Sequence, residues 1–418
     1  GDRARRGAAP AAAGGGPASP SVPLSAAQLS AAPQSAASLS VAVPTAAASS
    51  GTVSSALSGT PSGATPAAQG APLELPRPTG RLAVGRDTLH LVDRTRKDPW
   101  VPTADRELML SLYYPARPHT GSSPAPYVTL PEAQATVAAW KVGDLVTPER
   151  FAALRTSARE GARPQPGRFP LVVLSPGFGM PRATLTALAE ELASRGYVVA
   201  AVDHAYESVG ASFPGGRLLA CVACDKAAED KQYQRVSDGR ARDVSFVLDR
   251  LTGPKPAWRY AHLVDSRRIG MAGHSIGGAS AAAAMATDRR VDAGVNMDGT
   301  FFSPIPEGGL KGRPFLMLGG DPALRPPGES SWEAAWQRLD GWKRWLTVTG
   351  TGHMAFTDLL PLGDAIGRPD PHSPLSGTRS VEITRAYVTA FFDQHLRGLP
   401  QPLLTGPSAA NPEVVFHP

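Results

Sequence analysis

Residues 269–278 read Ile-Gly-Met-Ala-Gly-His-Ser-Ile-Gly-Gly, a pattern that places one serine where it could attack a carbonyl. The core of the pattern is Gly-x-Ser-x-Gly. An apolar run precedes it and an alanine-rich stretch, Ala279 to Ala286, follows it. Strand, tight turn and helix in that order are the setting of a nucleophile elbow. Ser275 falls at the tip of the turn. Gly273 and Gly277 let the backbone bend beside it, and the N-terminus of the following helix turns free N–H groups and partial positive charge toward the reacting oxygen.

A serine hydroxyl is a weak nucleophile at neutral pH, so it requires a base, and the base requires an orienting carboxylate. In an open parallel sheet such groups gather at the carboxyl ends of the strands. In elbow enzymes they follow the nucleophile in the order acid, then histidine. Among the nine histidines, His274 adjoins the serine and is expected to point away into the elbow. His372 lies in a proline-rich loop, His395 ends the last helical stretch and His417 is near the chain end. His353, in Gly350-Thr351-Gly352-His353-Met354 directly after an apolar run, is the expected general base. Two acids stay open on the residues alone: Asp298 after the run at 293–297, and Asp321 after the run at 315–318. Position in the strand order favours Asp321 slightly. An oxyanion hole needs two backbone donors. The amide of Ile276, next to the serine, and that of Phe178, in Pro176-Gly177-Phe178-Gly179, are the expected pair. No cluster of His, Cys and carboxylates with ligand spacing accompanies these residues, so neither a metal nor a cofactor is expected.

These groups need a scaffold, and the hydrophobic pattern supplies one. Residues 88–92 and 108–114 alternate as an early strand pair. Leu171-Val172-Val173-Leu174 is a continuous apolar run of the buried parallel kind. Leu185, Leu188 and Leu192 line one helical face that Gly196 closes. Residues 198–202 form the next strand. Val244, Val247, Leu248 and Leu251 mark another helix, and Ile383, Tyr387, Val388, Phe391, Phe392 and Leu396 mark a last one. Strands alternating with helices predict an α/β fold with a mainly parallel central sheet and helices on both faces. Residues 131–165 read as a polar, partly helical insertion, and 205–232 as a long loop.

Residues 1–78 are mostly Ala, Ser, Pro, Gly and Thr, and the first aromatic ring of the chain is Trp100. Such a segment cannot bury enough apolar surface to offset chain entropy, so 1–78 reads as a disordered leader. Residues 79–400 read as one catalytic domain, and 401–418 as a C-terminal tail. The net charge of +6 comes from scattered arginines without a nucleic-acid motif. No run of 18 apolar residues appears, so no membrane-spanning helix is expected. Transient contact with a lipid surface is compatible with the basic balance. Leaders of this composition are common on exported bacterial enzymes, which sets secretion as the expectation and the cytoplasm as the alternative. Cys221 and Cys224, the two cysteines, sit in an apparent loop. They cannot complete a four-ligand zinc site, and a local disulfide is slightly favoured over free thiols.

At this point the chain resembles a known family, the secreted or type II platelet-activating factor acetylhydrolases of the α/β-hydrolase superfamily. The likeness is carried by Val-Gly-Arg-Asp-Thr-Leu-His-Leu-Val-Asp at 84–93, Arg-Glu-Leu-Met-Leu-Ser-Leu-Tyr-Tyr-Pro-Ala at 106–116 and Leu-Ser-Pro-Gly-Phe-Gly at 174–179. Gly-His-Ser-Ile-Gly-Gly at 273–278, Asn-Met-Asp-Gly at 296–299 and Gly-His-Met-Ala-Phe-Thr-Asp at 352–358 add to it. The resemblance implies the α/β-hydrolase fold and an acid directly after the strand that follows the nucleophile helix, which here is Asp298. It also implies a serine esterase acting on small-molecule or lipid esters, above all short-acyl phospholipids of the platelet-activating factor type. Within hydrolases the alternative is a broad carboxylesterase or a cutinase-like polyester hydrolase. Outside that class the alternatives are an acyltransferase using the same acyl-enzyme, or a non-catalytic binding protein.

Overall fold

The computed structural model describes residues 70–230, 232–324 and 330–418. In chain order the strands are β1 (Ala83–Lys97), β2 (Asp105–Ala116), β3 (Arg159–Glu160), β4 (Phe169–Ser175), β5 (Val198–His204), β6 (Ala211–Phe213) and β7 (Arg217–Leu219), then β8 (Val264–His274), β9 (Ala293–Met297), β10 (Phe315–Gly320), β11 (Lys343–Val348) and β12 (Val414–Phe416). The helices are α1 (Leu130–Trp140), α2 (Pro148–Ala152), α3 (Thr186–Ser194), α4 (Val222–Asp230), α5 (Tyr233–Thr252), α6 (Ile276–Thr287), α7 (Ser331–Arg338), α8 (Leu359–Ala365) and α9 (Gly377–Arg397).

Ten strands form one sheet in the order β12-β11-β10-β9-β8-β4-β5-β2-β1-β3. From β5 to β11 every neighbouring pair is parallel, whereas β2 meets β5 and β1 meets β2 antiparallel. This is the mainly parallel sheet that the hydrophobic runs predict, in the α/β-hydrolase arrangement that the family resemblance implies. Leu171 to Leu174 of β4 are fully buried because the strand is central and covered on both faces. One face packs against α5 and α6, where Val244, Val247, Leu248 and Ala281 to Met285 meet Ile269 and Met271 of β8. The other packs against α3 and α9, where Leu188, Leu192, Tyr387, Val388 and Phe391 meet Val172 and Leu174. After β4 the chain proceeds to β5 on one side and later crosses to β8 on the other. The carboxyl ends of β4 and β8 therefore flank a topological switch point, where such sheets open a crevice.

Three boundaries differ from the sequence reading. Residues 401–418 are not a free tail: β12 pairs antiparallel with β11, Leu346 opposite Phe416, and His417 stacks on Trp345 with ring centroids 4.1 Å apart. A three-residue strand is too short for an alternation test, which is why it read as tail. The packed domain also begins before Thr79. Leu73 and Leu75 are buried beside Tyr127 and Phe151, and Leu75 donates its amide to the Arg155 carbonyl. Of the proposed leader, residues 1–69 lie outside the described residues. Finally, 205–232 is not simply a loop. It holds the β6–β7 hairpin, turned by Gly215 and Gly216 at φ 83° and 71°, and then α4. Cys221 and Cys224 form a disulfide at the start of α4.

Candidate active site

The elbow is built by close backbone approach. Ser275 sits between β8 and α6 at φ 58° and ψ −124°, a conformation that non-glycine residues rarely adopt and that the surroundings must hold. Its amide donates to the Met297 carbonyl at 2.9 Å, and its carbonyl accepts from Gly278 at 2.8 Å. A Cβ on Gly273 would lie 2.0 Å from the Gly277 carbonyl, and one on Gly277 would lie 2.0 Å from the Ser175 carbonyl. Only hydrogen fits at either position, so both glycines of the pattern are fixed by packing.

His353 opens a short 3₁₀ turn, His353–Phe356, in the loop after β11. Its Nε2 lies 2.9 Å from Ser275 Oγ and its Nδ1 lies 2.6 Å from Asp298 Oδ2. A carboxylate can only accept, so Nδ1 carries the proton and Nε2 presents a lone pair to the serine hydroxyl. Asp298 follows β9 and accepts the Gly320 amide on Oδ1 at 2.8 Å, which fixes the carboxylate plane. Asn296 closes the turn behind it: its amide group donates to the Gly299 carbonyl and accepts the Gly299 N–H, both at 2.8 Å.

Asp321, the acid that strand position favoured, does not meet His353. It accepts the Gly350 amide on Oδ2 at 2.9 Å and the Ala323 amide on Oδ1 at 3.0 Å. It braces the loop that leads to the histidine. The choice between two loops on the same sheet edge depends on backbone direction after β9 and β10, which spacing alone does not encode.

His274 is fully buried. Its Nε2–H donates to the His353 carbonyl at 2.7 Å, which anchors the backbone of the residue opposite the serine. Burial first, and then the neighbouring His353 ring, hold the His274 pKa well below its ordinary value. The ring is therefore a neutral strut.

The amide of Ile276 begins α6, and that of Phe178 lies in the loop after β4, between Gly177 and Gly179. Among the described residues neither amide is taken by a protein acceptor. The side chains of the same two residues join an apolar wall. Phe178 meets Tyr233 edge to face with ring centroids 6.1 Å apart, and Tyr233 meets Phe302 at 5.2 Å. All three rings are half-buried against Trp100, Ala223, Ala227, Val236 and Ile276. Tyr233 and Phe302 were missed in the sequence. One lies at the start of a helix and the other in a loop, and no local pattern marks either as lining a site.

Comparison with known proteins follows the same lines. The family model described as platelet-activating factor acetylhydrolase, isoform II, matches residues 68–219. A probable 1-alkyl-2-acetylglycerophosphocholine esterase of Arthroderma benhamiae is 28% identical over 378 residues, which are 82% of this chain and 93% of that protein. A platelet-activating factor acetylhydrolase of Gallus gallus is 24% identical over 57% of this chain and 65% of its own length. The solved structure of a ferulic acid esterase from Streptomyces cinnamoneus is 50% identical and superposes with a TM-score of 0.74, covering 83% of this chain and 99% of that one.

Proposed function

We propose that this chain, which belongs to the platelet-activating factor acetylhydrolase isoform II family of ester hydrolases, cleaves carboxylic esters through Ser275, His353 and Asp298. The observation that carries the reading is the continuous hydrogen-bonded line from Ser275 Oγ to His353 at 2.9 Å and on to Asp298 at 2.6 Å. Ser275 Oγ attacks the ester carbonyl while its proton passes to His353 Nε2. Asp298 holds the imidazole in the tautomer that can accept and stabilises the imidazolium that forms. The carbonyl oxygen becomes an oxyanion and is received by the Phe178 and Ile276 amides. His353 then returns the proton to the leaving alcohol, and an acyl group remains on Ser275. Water repeats the sequence with His353 as base and releases the carboxylic acid. No step calls on a metal or an organic cofactor.

The substrate class we favour, supported by the names of the similar proteins, is esters of short acyl groups, including 2-acetyl phospholipids. A second reading has its own observation. The half-buried rings of Phe178, Tyr233 and Phe302 form an aromatic wall beside the two oxyanion amides, and the 50% identical structure is described as a ferulic acid esterase. Such a wall suits a planar aryl ester. A substrate panel separates the two: nitrophenyl esters from acetate to palmitate, a 2-acetyl phospholipid and methyl ferulate, each run against Ser275→Ala. The expected profile peaks at short acyl chains, and Ser275→Ala is inactive on every member. A peak on methyl ferulate would shift the substrate to aryl esters. Hydrolysis that survives Ser275→Ala would remove the triad reading.

A further inference from the structure

Beneath the candidate oxyanion loop lies a group of buried charges that the triad does not use. Arg240, on α5, and Glu207, just after β5, are 1% and 2% exposed. Arg240 Nε donates to Glu207 Oε1 at 2.8 Å. The Nη1 of the same guanidinium donates to the Pro176 carbonyl and, at 3.2 Å, to Ser175 Oγ. Glu207 reaches the same loop from its other end, because its backbone carbonyl accepts the Gly179 amide at 2.9 Å. The Gly179 carbonyl in turn accepts the Val209 amide at 3.0 Å. Pro176 and Gly179 bracket Phe178. The contacts thus close a ring: Arg240, Glu207, Gly179, Phe178, Gly177, Pro176 and back to Arg240.

The ring is itself fixed from behind. Glu207 Oε2 accepts from Trp100 Nε1 at 2.9 Å and from Arg106 Nη2 at 2.7 Å. Arg106 also binds Asp98 at 2.9 Å and Asp243 at 2.7 Å. His204 joins Asp243 at 2.7 Å to Ser175 Oγ at 2.9 Å. Removing ions from water is costly, and a buried ion pair is weak evidence for stability. A cluster of this kind does, however, give its neighbours one geometry, since every member is over-determined by directed bonds. The neighbour held here is a loop of two glycines whose central amide has no protein acceptor among the described residues. Left to itself, such a loop would sample many orientations.

We propose that Arg240 and Glu207 are positioning residues that hold the Phe178 amide in its oxyanion-binding orientation. They act through the backbone of residues 176–179 and touch no substrate. The proposal rests on the serine-esterase reading above. It predicts an effect on the transition state, where the oxyanion exists, and little on ground-state binding.

The test uses the full chain with nitrophenyl acetate as substrate and a trifluoromethyl ketone as an analogue that forms the oxyanion. Arg240→Gln removes the guanidinium. Arg240→Lys keeps the charge beside Glu207 but cannot reach both Glu207 and Pro176, so it tests the geometry where the first variant fails to fold. Folding is checked by circular dichroism, and each variant is assayed well below its own melting temperature. Loss of one oxyanion donor costs about 10²–10³ in kcat, and a misaligned donor less, so kcat is expected to fall roughly 10- to 100-fold. KM is expected to stay within a factor of about three, and the inhibition constant of the ketone to rise by the same factor as kcat falls. A folded Arg240→Lys with kcat within twofold of the parent overturns the proposal. So does a kcat loss without the matching loss of ketone affinity. Ser275→Ala runs alongside: activity in that variant would be a failure of the triad reading, which is a separate result.

Discussion

The sharpest prediction concerns the acid. Asp298→Asn changes one oxygen to NH₂ and almost nothing in volume, and the site dictates how the new amide sits. The Gly320 N–H points at Oδ1 from 2.8 Å, so the asparagine oxygen must stay on that side. Its NH₂ then faces His353 Nδ1 across the 2.6 Å that the carboxylate now spans. Two donors cannot share that distance. The imidazole must give up its Nδ1 proton and carry it on Nε2, where it faces Ser275 Oγ and can no longer accept the hydroxyl proton. Loss of the correct tautomer in a triad costs about 10⁴ in kcat, equivalent to about 5 kcal/mol of barrier. Asp321→Asn is the matched control. It gives up one of two acceptor positions on the Gly350 and Ala323 amides. That is worth about 1 kcal/mol of stability, and kcat should move by less than about tenfold. The assay is steady-state hydrolysis of nitrophenyl acetate, with active sites counted by a fluorophosphonate in the parent. An Asp298→Asn variant within about tenfold of the parent would refute the tautomer argument, and a reversal of the two effects would make Asp321 the acid.

Two further outcomes are expected. A fluorophosphonate should label Ser275 and no other serine, and pre-labelling should abolish hydrolysis; peptide mass mapping locates the adduct, and an active enzyme tagged elsewhere would exclude Ser275 as nucleophile. Above about pH 7 stability should fall with rising pH, because burial pushes the Asp358 carboxyl up to about 8 and Glu190 up to about 7. Both carboxyls stay protonated in the folded state at a pH where the unfolded chain has released those protons. The stability is thus fully present below the ordinary carboxyl range and is lost as pH climbs to about 7 for Glu190 and about 8 for Asp358, at up to about 1.4 kcal/mol per pH unit for each group. Thermal melts from about pH 7 to 9 read the upper part, because at lower pH the buried His204, His274 and His395, whose pKa values burial holds down, take up protons on unfolding and oppose the trend. Asp358→Asn, which can keep the Ala187 amide on its oxygen and turn its NH₂ toward Tyr127, should flatten the upper part of the curve; a parent melt that rises over this interval would count against it.

Much of the scaffold was visible in the chain because its signals are local. The apolar run at 171–174, the helical spacing of Val244 to Leu251 and the strand–turn–helix order around Ser275 each occupy one short window. The structure finds an element at every one of them. The short pieces escaped: β6, β7 and β12 have three residues each, and their pairing partners lie elsewhere. α4 escaped as well, because the proline, glycines and two cysteines within 205–232 read as loop. Tyr233, Phe302, Arg240 and Glu207 carried no pattern of their own.

The sequence by itself determined the elbow, the histidine that follows the last apolar runs and the alternation of strands and helices that makes a parallel sheet. Each depends on neighbours along the chain or on the period of burial. On the residues alone two carboxylates stayed open, and the family resemblance pointed to Asp298; only the tertiary structure decided which carboxylate contacts His353, which rings wall the site and what holds the Phe178 loop. Asp298 and Asp321 stand at the ends of adjacent strands and look alike in one dimension. The Asn296 and Gly320 contacts turn one toward the imidazole, while the Gly350 amide binds the other. Arg240 and Pro176 are 64 residues apart. Their contact exists only because α5 packs across the end of β4, and a directed bond between distant residues leaves no trace in the order of the chain.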